Sequence, residues 1–382
     1  MNYLDCAATS VKKPECVYTA ADHALRHASA NPGRAGHRLS LTAGAIVKEA
    51  RLLCSRLLNA ETADSIVFCS NGSDALNLAL HGIMKDGGHV VTSSMEHNSV
   101  ARPLEYLKTQ GVSVTKVNSD INTGVSVLEI ENAIREDTRL VVINHISNVT
   151  GTVNDIEKIG SICRKNNVLF LVDAAQSAGA RKIDVQKMKI DLLAFPGHKS
   201  LFGPQGTGGL YVGQHVDLEP LKQGGTGSRS ELLFQPLERP DRYESGTLNV
   251  AGIAGLREGI RYILETGYET IDTREKFLVQ TMINELRALD GITIYAPEDS
   301  YDRGAVFSIR IKHYEPQEIA MILDEVFDVA VRAGLHCAPD AHRSIGTLDA
   351  GGTVRISVNY LTSDEEIHTC IEGIRQIVKE TI

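Results

Sequence analysis

The chain has 382 residues, 42% of them hydrophobic and 23% charged, the proportions of a globular protein with room for a large core and two domains at roughly 150 residues each. A formal net charge of -9 argues against nucleic acid or an anionic membrane as the main partner. No run approaches the roughly 20 apolar residues of a membrane span, Met1-Asn2-Tyr3-Leu4-Asp5 lacks the regions of a signal peptide, and seven cysteines occur without a CxxC pair, so a cytoplasmic protein with reduced thiols is expected.

An extended Tyr3 to Thr9 precedes helices over Glu15 to Ala28 and Leu39 to Leu58, with the polar loop Asn31 to His37 between them. An alternation then decides the fold class. Strands are predicted at Ser65 to Cys69, His89 to Thr92, Ser113 to Val117, Arg139 to Asn144, Val168 to Val172 and Asp191 to Phe195. The helices between them are Ser73 to Met84, Ser99 to Thr109, Leu128 to Ile134 and Asp155 to Asn166. Such a pattern implies an α/β fold, a mostly parallel sheet covered on both faces that binds ligands at the carboxyl ends of its strands. From about Ala251 the pattern changes. Helices Ile253 to Glu265 and Thr270 to Leu289 lead into strands Thr293 to Tyr295 and Ala305 to Ile311, then helix Pro316 to Leu323. Strands Val329 to Val331 and Val354 to Val358 and helix Ser363 to Val378 complete a smaller α+β unit. Residues 15-255 are expected to form the large domain, and residues 1-14 with 256-382 the small one.

The polar residues that could carry chemistry fall in strand-to-helix loops. In Ser70-Asn71-Gly72-Ser73-Asp74 the backbone N–H groups and the Ser73 hydroxyl can hold a phosphate, or the loop simply caps its helix. Met95-Glu96-His97-Asn98 puts an imidazole where it can stack on a ring or serve the structure, and Asn148 is a donor to a ligand or a turn asparagine. Asp173 ends the apolar run Val168-Leu169-Phe170-Leu171-Val172, a costly place for a carboxylate without a cationic partner such as a protonated pyridine nitrogen. Lys199 follows 26 residues later, between an apolar run and the loop Gly203 to Gly209. A desolvated lysine there is suited to act as an amine nucleophile.

In the small domain, Val331-Arg332-Ala333-Gly334-Leu335-His336-Cys337-Ala338-Pro339 sets Cys337 beside Arg332 and His336, and neighbouring cations favour the nucleophilic thiolate. A buried inert cysteine, or a metal held with His336 and His342, are the alternatives. Arg355, within a strand, needs an anionic partner such as a substrate carboxylate or a structural acid.

Taken together, Asn71-Gly72-Ser73-Asp74, Glu96-His97, Ser147-Asn148, Asp173-Ala174-Ala175-Gln176 and Gly197-His198-Lys199 resemble the motifs of class V, fold-type I pyridoxal-phosphate enzymes. The similarity is to the cysteine desulfurases, closest to group II, and runs from Leu4-Asp5-Cys6-Ala7-Ala8 to Arg355. It implies a fold with a seven-stranded sheet and a desulfurase that converts L-cysteine to L-alanine and leaves a persulfide on Cys337 for an acceptor protein. A selenocysteine lyase acting on L-selenocysteine is the alternative, with an aminotransferase or a non-catalytic sulfur carrier behind it. By the resemblance, Lys199 anchors pyridoxal 5'-phosphate covalently, Asp173 pairs with the ring nitrogen, Gln176 contacts the ring oxygen and His97 stacks on the ring. Gly72, Ser73 and His198 hold the phosphate together with Thr247 from a second subunit, which implies a homodimer with shared sites. Asn148 contacts cofactor and substrate, Arg355 clamps the substrate carboxylate, and Arg34, His37 and Gly224 to Arg229 line the mouth. Two departures stand out: Pro196 replaces a hydroxyl residue before Gly197-His198-Lys199, and Leu335 replaces the first histidine of the Arg-x-Gly-His-His-Cys-Ala motif.

Overall fold

The computed structural model describes residues 1–32 and 36–380. After the short strand β1 (Asn2–Tyr3), helices α1 (Glu15–His27) and α2 (Arg38–Leu58) lead into β2 (Ile66–Cys69), α3 (Gly72–Met84), β3 (Gly88–Ser93), α4 (Asn98–Lys108) and β4 (Val112–Val117). The hairpin β5 (Ser119–Asp120) and β6 (Gly124–Val125) follows, then α5 (Val127–Ala133), β7 (Thr138–Asn144), α6 (Ile156–Lys165), β8 (Leu169–Asp173), β9 (Leu192–Pro196) and β10 (Gly208–Val212).

Seven of these strands form one sheet in the order β2-β10-β9-β8-β7-β3-β4. All run parallel except β10, which is antiparallel to both neighbours. The central strands are apolar because both faces are covered, and the pleat divides them strictly. Phe170 and Val172 join the core shared with α2 and α7, whereas Leu171 joins the core under α3 and α4. This α/β architecture agrees with the sequence expectation. Strand β10 is an addition: its Gly208-Gly209 start hides a strand that bridges β2 and β9, which are far apart in sequence.

The remaining chain comprises α7 (Val250–Thr266), α8 (Tyr268–Arg287), β11 (Ile292–Tyr295), β12 (Val306–Ile311), α9 (Pro316–Phe327), β13 (Val329–Ala330), β14 (Arg332–Gly334), α10 (Pro339–Ser344), β15 (Thr353–Ser357) and α11 (Asp364–Lys379). Helices α9 and α11 each begin with a capping box, Glu315 with Glu318 and Ser363 with Glu366. An antiparallel sheet β11-β12-β15-β14 shares an apolar core with α8, α9, α11 and Leu4. Helix α7 is continuous across 255/256, and its Ile253, Leu256, Ile260 and Ile263 belong to the core of the large sheet. Within α8, Ile271 still belongs to the core of the large sheet, whereas Leu278 joins that of the small one. No helix among the described residues is long and apolar enough to cross a membrane.

Candidate active site

Because β2, β3, β7, β8 and β9 run in one direction, their carboxyl ends deliver five loops to one edge of the sheet. A cavity of about 200 Å³ lies there. Its wall includes Gly72, Ser73, His97, Asn148, Asp173, Gln176, His198, Lys199 and Arg355, nine of the residues singled out from sequence. Thr247 is exposed and lines a neighbouring cavity with Ser70, Asp74 and Lys222. Cys337 borders the outer side, as described below. Arg34 lies outside the described residues. His37 caps α2 through its side chain, and Gly224 to Arg229 line a separate cavity with Leu232, Leu233 and Phe234.

Lys199 sits in a turn whose backbone is tied down on both sides. The Gly197 N–H donates to Thr207 O and the Gly203 N–H donates to Gly197 O, both at 2.8 Å. A Cβ on Gly197 would fall 2.2 Å from Thr207 Oγ1, so only glycine fits this close approach. The carbonyl of His198 accepts from Ser10 N at 3.0 Å and from the hydroxyls of Thr9 and Ser10, which fastens the amino-terminal segment to the lysine loop. Pro196 packs against Gly72, where a Cβ would stand 3.3 Å from its ring. The proline thus contributes shape to the floor of the cavity where a hydroxyl was anticipated.

Burial lowers the Lys199 amine to about 8, with Asp173 opposing part of that shift. Asp173 is buried, receives one N–H, from Ala175 at 2.9 Å, and is itself raised above the usual carboxylate range by burial. A carboxyl group in that position is stabilised in its charged form by a cation brought into the cavity.

His97 caps α4, its Nδ1 accepting from the Ser99 N–H at 3.0 Å. That bond places the ring proton on Nε2. Burial, then the charge of Lys199 and more distant arginines, lowers this imidazole to about 3, so it stays neutral. The Ser99 hydroxyl lies 2.9 Å from the same Nδ1 and 2.5 Å from Ser73 Oγ, joining His97 to the start of α3. The structure places the α3 cap at Asn71, whose side chain accepts from Asp74 N, so the helix starts one residue before the sequence pattern suggested. The leading N–H groups of α3 point out of the helix end toward the cavity edge formed by Gly72 and Ser73.

Arg355 on β15 is 1% exposed, and its guanidinium is already engaged: Nη2 donates to Asp5 at 2.6 Å and Nη1 to Asn148 O at 3.3 Å. Its Nε has no partner among the described residues, and neither has Asn148 Oδ1. Asp5, 350 residues away in sequence, carried no local signal of this role. Arg332 faces Arg355 across β14 and β15 and donates from Nη2 to Cys337 Sγ at 3.3 Å.

Cys337 is half-buried, and it and His336 both adopt left-handed backbone, with φ of 58° and 49°. Non-glycine residues there cost roughly 1–2 kcal/mol each, so the surroundings must hold them. They do so through the large domain: Asn148 Nδ2 donates to His336 O at 2.8 Å and Asn98 N donates to Cys337 O at 2.7 Å. His336 and His342 each place one ring nitrogen on a threonine hydroxyl, Thr353 and Thr347. Among the described residues no group of three or more His, Cys, Asp or Glu is arranged to hold a metal ion.

Residues 2–369 match the family model described as aminotransferase class-V. The chain is 38% identical over 381 residues to a probable cysteine desulfurase of Methanothermobacter thermautotrophicus, covering 98% of this chain and 94% of that protein. It is 33% identical to the cysteine desulfurase IscS of Vibrio vulnificus, covering 99% and 93%. The apo structure of a cysteine desulfurase from Thermococcus onnurineus NA1 superposes with a TM-score of 0.93 at 33% identity, over 99% of this chain and 94% of that one. The chain therefore belongs to the class V aminotransferase family, among its cysteine desulfurases.

Proposed function

We propose that the protein is a pyridoxal-phosphate-dependent enzyme that removes sulfur from L-cysteine, yielding L-alanine and a persulfide on Cys337. The observation that carries this reading is Arg332, which lines the cavity that holds Lys199 and Asp173 and donates to Cys337 Sγ at 3.3 Å. The names of the relatives favour cysteine over selenocysteine as substrate.

The residues present fit the cofactor. A buried aspartate with a single N–H donor suits a protonated ring nitrogen, a lysine amine of lowered basicity suits covalent attachment, and the open end of α3 with Ser73 and His198 suits a phosphate. When bound, pyridoxal 5'-phosphate supplies an electron sink next to the substrate Cα. Gly72, Ser73 and His198 would hold its phosphate, Gln176 and His97 its ring, and Asp173 its ring nitrogen. Lys199 Nζ, neutral once released, takes the proton from Cα. Arg355 and Asn148 orient the substrate, the unpartnered Arg355 Nε and Asn148 Oδ1 being the atoms still free to do so. Cys337 Sγ attacks the substrate sulfur; an S–S bond forms, the Cβ–S bond breaks with its electron pair left on Cβ, Cβ takes up a proton, and Lys199 Nζ returns a proton to Cα to give alanine.

Thr247 is assigned to a site shared between two copies, and Arg34, which lies outside the described residues, to the mouth of the site. Thr247 stands exposed beyond the cavity of its own chain, near an uncovered apolar run in which Leu233 is 98% and Phe234 87% exposed. Such a run is suited to burial against a second copy. Cytoplasmic residence fits seven cysteines that are all unpaired. The test is alanine release from L-cysteine and L-selenocysteine by the cofactor-loaded protein. Cys337→Ala should keep the cofactor absorbance and lose alanine formation from cysteine; sustained release by that variant removes Cys337 from the reaction.

A further inference from the structure

Cys337 lies on the outer side of the Lys199 cavity. It lines a groove of about 550 Å³ between α3 and α4, whose walls include Asn77, His81, Asn98, Arg102 and Tyr106. Ser73, His97 and Ser99 belong to both spaces and form the partition between them. Cys337 therefore stands where sulfur taken from the inner side can be met from the outer side.

Among the described residues, Arg102 is the one fixed cation lining this groove. It lies one turn beyond Asn98, whose N–H holds the Cys337 carbonyl, so both face the cysteine from the same side of α4. Arg102 is exposed and makes no ion pair with a described residue. Glu105, the acid nearest on the helix, is occupied by Lys108 and Lys116, and Asp340 at the far side by Lys116 and Arg343. The groove thus offers an uncompensated positive charge next to a sulfur nucleophile's point of delivery.

We propose that this groove admits the sulfur acceptor, and that the acceptor presents its thiol on an acidic peptide segment whose carboxylate meets Arg102. The inference rests on the persulfide chemistry proposed above. In the transfer, the acceptor thiolate attacks the outer sulfur of the Cys337 persulfide. A new S–S bond forms on the acceptor as the bond to Cys337 Sγ breaks, and the electron pair returns to Sγ, where Arg332 Nη2 donates. One S–S bond replaces another, so no external oxidant or reductant is required.

The experiment loads the holoenzyme with one equivalent of L-cysteine and reads the added sulfur on Cys337 by mass. It then mixes the loaded protein with blocked tripeptides carrying cysteine between two aspartates, two serines or two lysines, and follows persulfide loss. Wild type should favour the acidic over the basic peptide by about threefold to fivefold, the ratio for a solvent-facing charge pair, and the preference should shrink in high salt. R102Q should flatten the ratio and R102E should invert it. Since each variant is compared with itself across peptides, changes in the loading step cancel. An acidic-to-basic ratio that R102E leaves unaltered, or a wild-type preference for the basic peptide, overturns the proposal alone. Failure of persulfide to form on Cys337 overturns the underlying reading and the proposal with it.

Discussion

Replacing Arg332 with glutamine removes the cation that donates to Cys337 Sγ at 3.3 Å and leaves a shorter, neutral polar side chain. A hydrogen bond to a charged group is worth roughly 1.5–3 kcal/mol, and the half-buried setting of Arg332 reduces this to about 1–2 kcal/mol. At about 1.4 kcal/mol per factor of ten, sulfur capture should slow by roughly fivefold to thirtyfold. Arg332→Lys, which keeps the charge but loses the planar fork, should fall between. The assay is a single-turnover measurement of alanine and of sulfur on Cys337, with cofactor absorbance as the control for an intact cavity. Capture at the wild-type rate in Arg332→Gln refutes the assignment. So does an equal loss of cofactor binding, because Arg332 would then be acting on the cavity and not on the sulfur.

Two further predictions follow from buried charges. In the cofactor-free protein the Lys199 amine, lowered from 10.5 to about 8, loses its proton as pH rises through 8, so its acylation should climb there. Exposed Lys158, raised by its hydrogen bond to Asp155, should lag behind; peptide mass mapping reads both. Asp173→Asn removes the charge that holds the Lys199 proton and should move the midpoint lower, and a midpoint that stays in place contradicts the pairing. The Arg51–Glu244 pair is buried, at 2.7 Å, and Glu244 also accepts from Phe68 N. Glu244→Gln should cost about 3 kcal/mol, the low end for breaking a buried pair because an amide oxygen remains to accept. In chemical denaturation, Glu219→Gln at the solvent-facing Lys85 pair should leave the midpoint nearly unchanged, and equal effects of the two would contradict the burial argument.

Much of the large domain was legible because its signals are local. The run from Val168 to Val172 announces a covered strand, and Asp173 at its end stands out as a charge in an apolar context. The same holds for Lys199 among glycines and for Cys337 beside Arg332. What escaped the sequence depends on partners far along the chain. Asp5 meets Arg355 across 350 residues, and β10 acquires its identity only by fitting between β2 and β9. Ser99 reads from the sequence as the ordinary first residue of a helix, yet its hydroxyl bridges His97 and Ser73 through a contact between two separate loops. Helix α7 is a related case: it follows the last sheet strand in sequence but packs back on α1 and α2.

The amino-terminal ten residues have a consequence for the order in which the molecule is built. They are made before the rest of the sequence described, yet β1 pairs with β13, Asp5 joins Arg355, and Ala7 N donates to Ser357 Oγ. Until those late residues arrive, the leading segment is held by Gln176 Nε2 donating to Ala7 O and by Thr9 and Ser10 bonded to the lysine loop. The large sheet can therefore form around Lys199 and Asp173 while the wall bearing Arg332, Cys337 and Arg355 is still missing. A nascent chain should thus acquire its cofactor-binding half before its sulfur-handling half, and the segment from Asn2 to Ser10 is the strap that closes one onto the other.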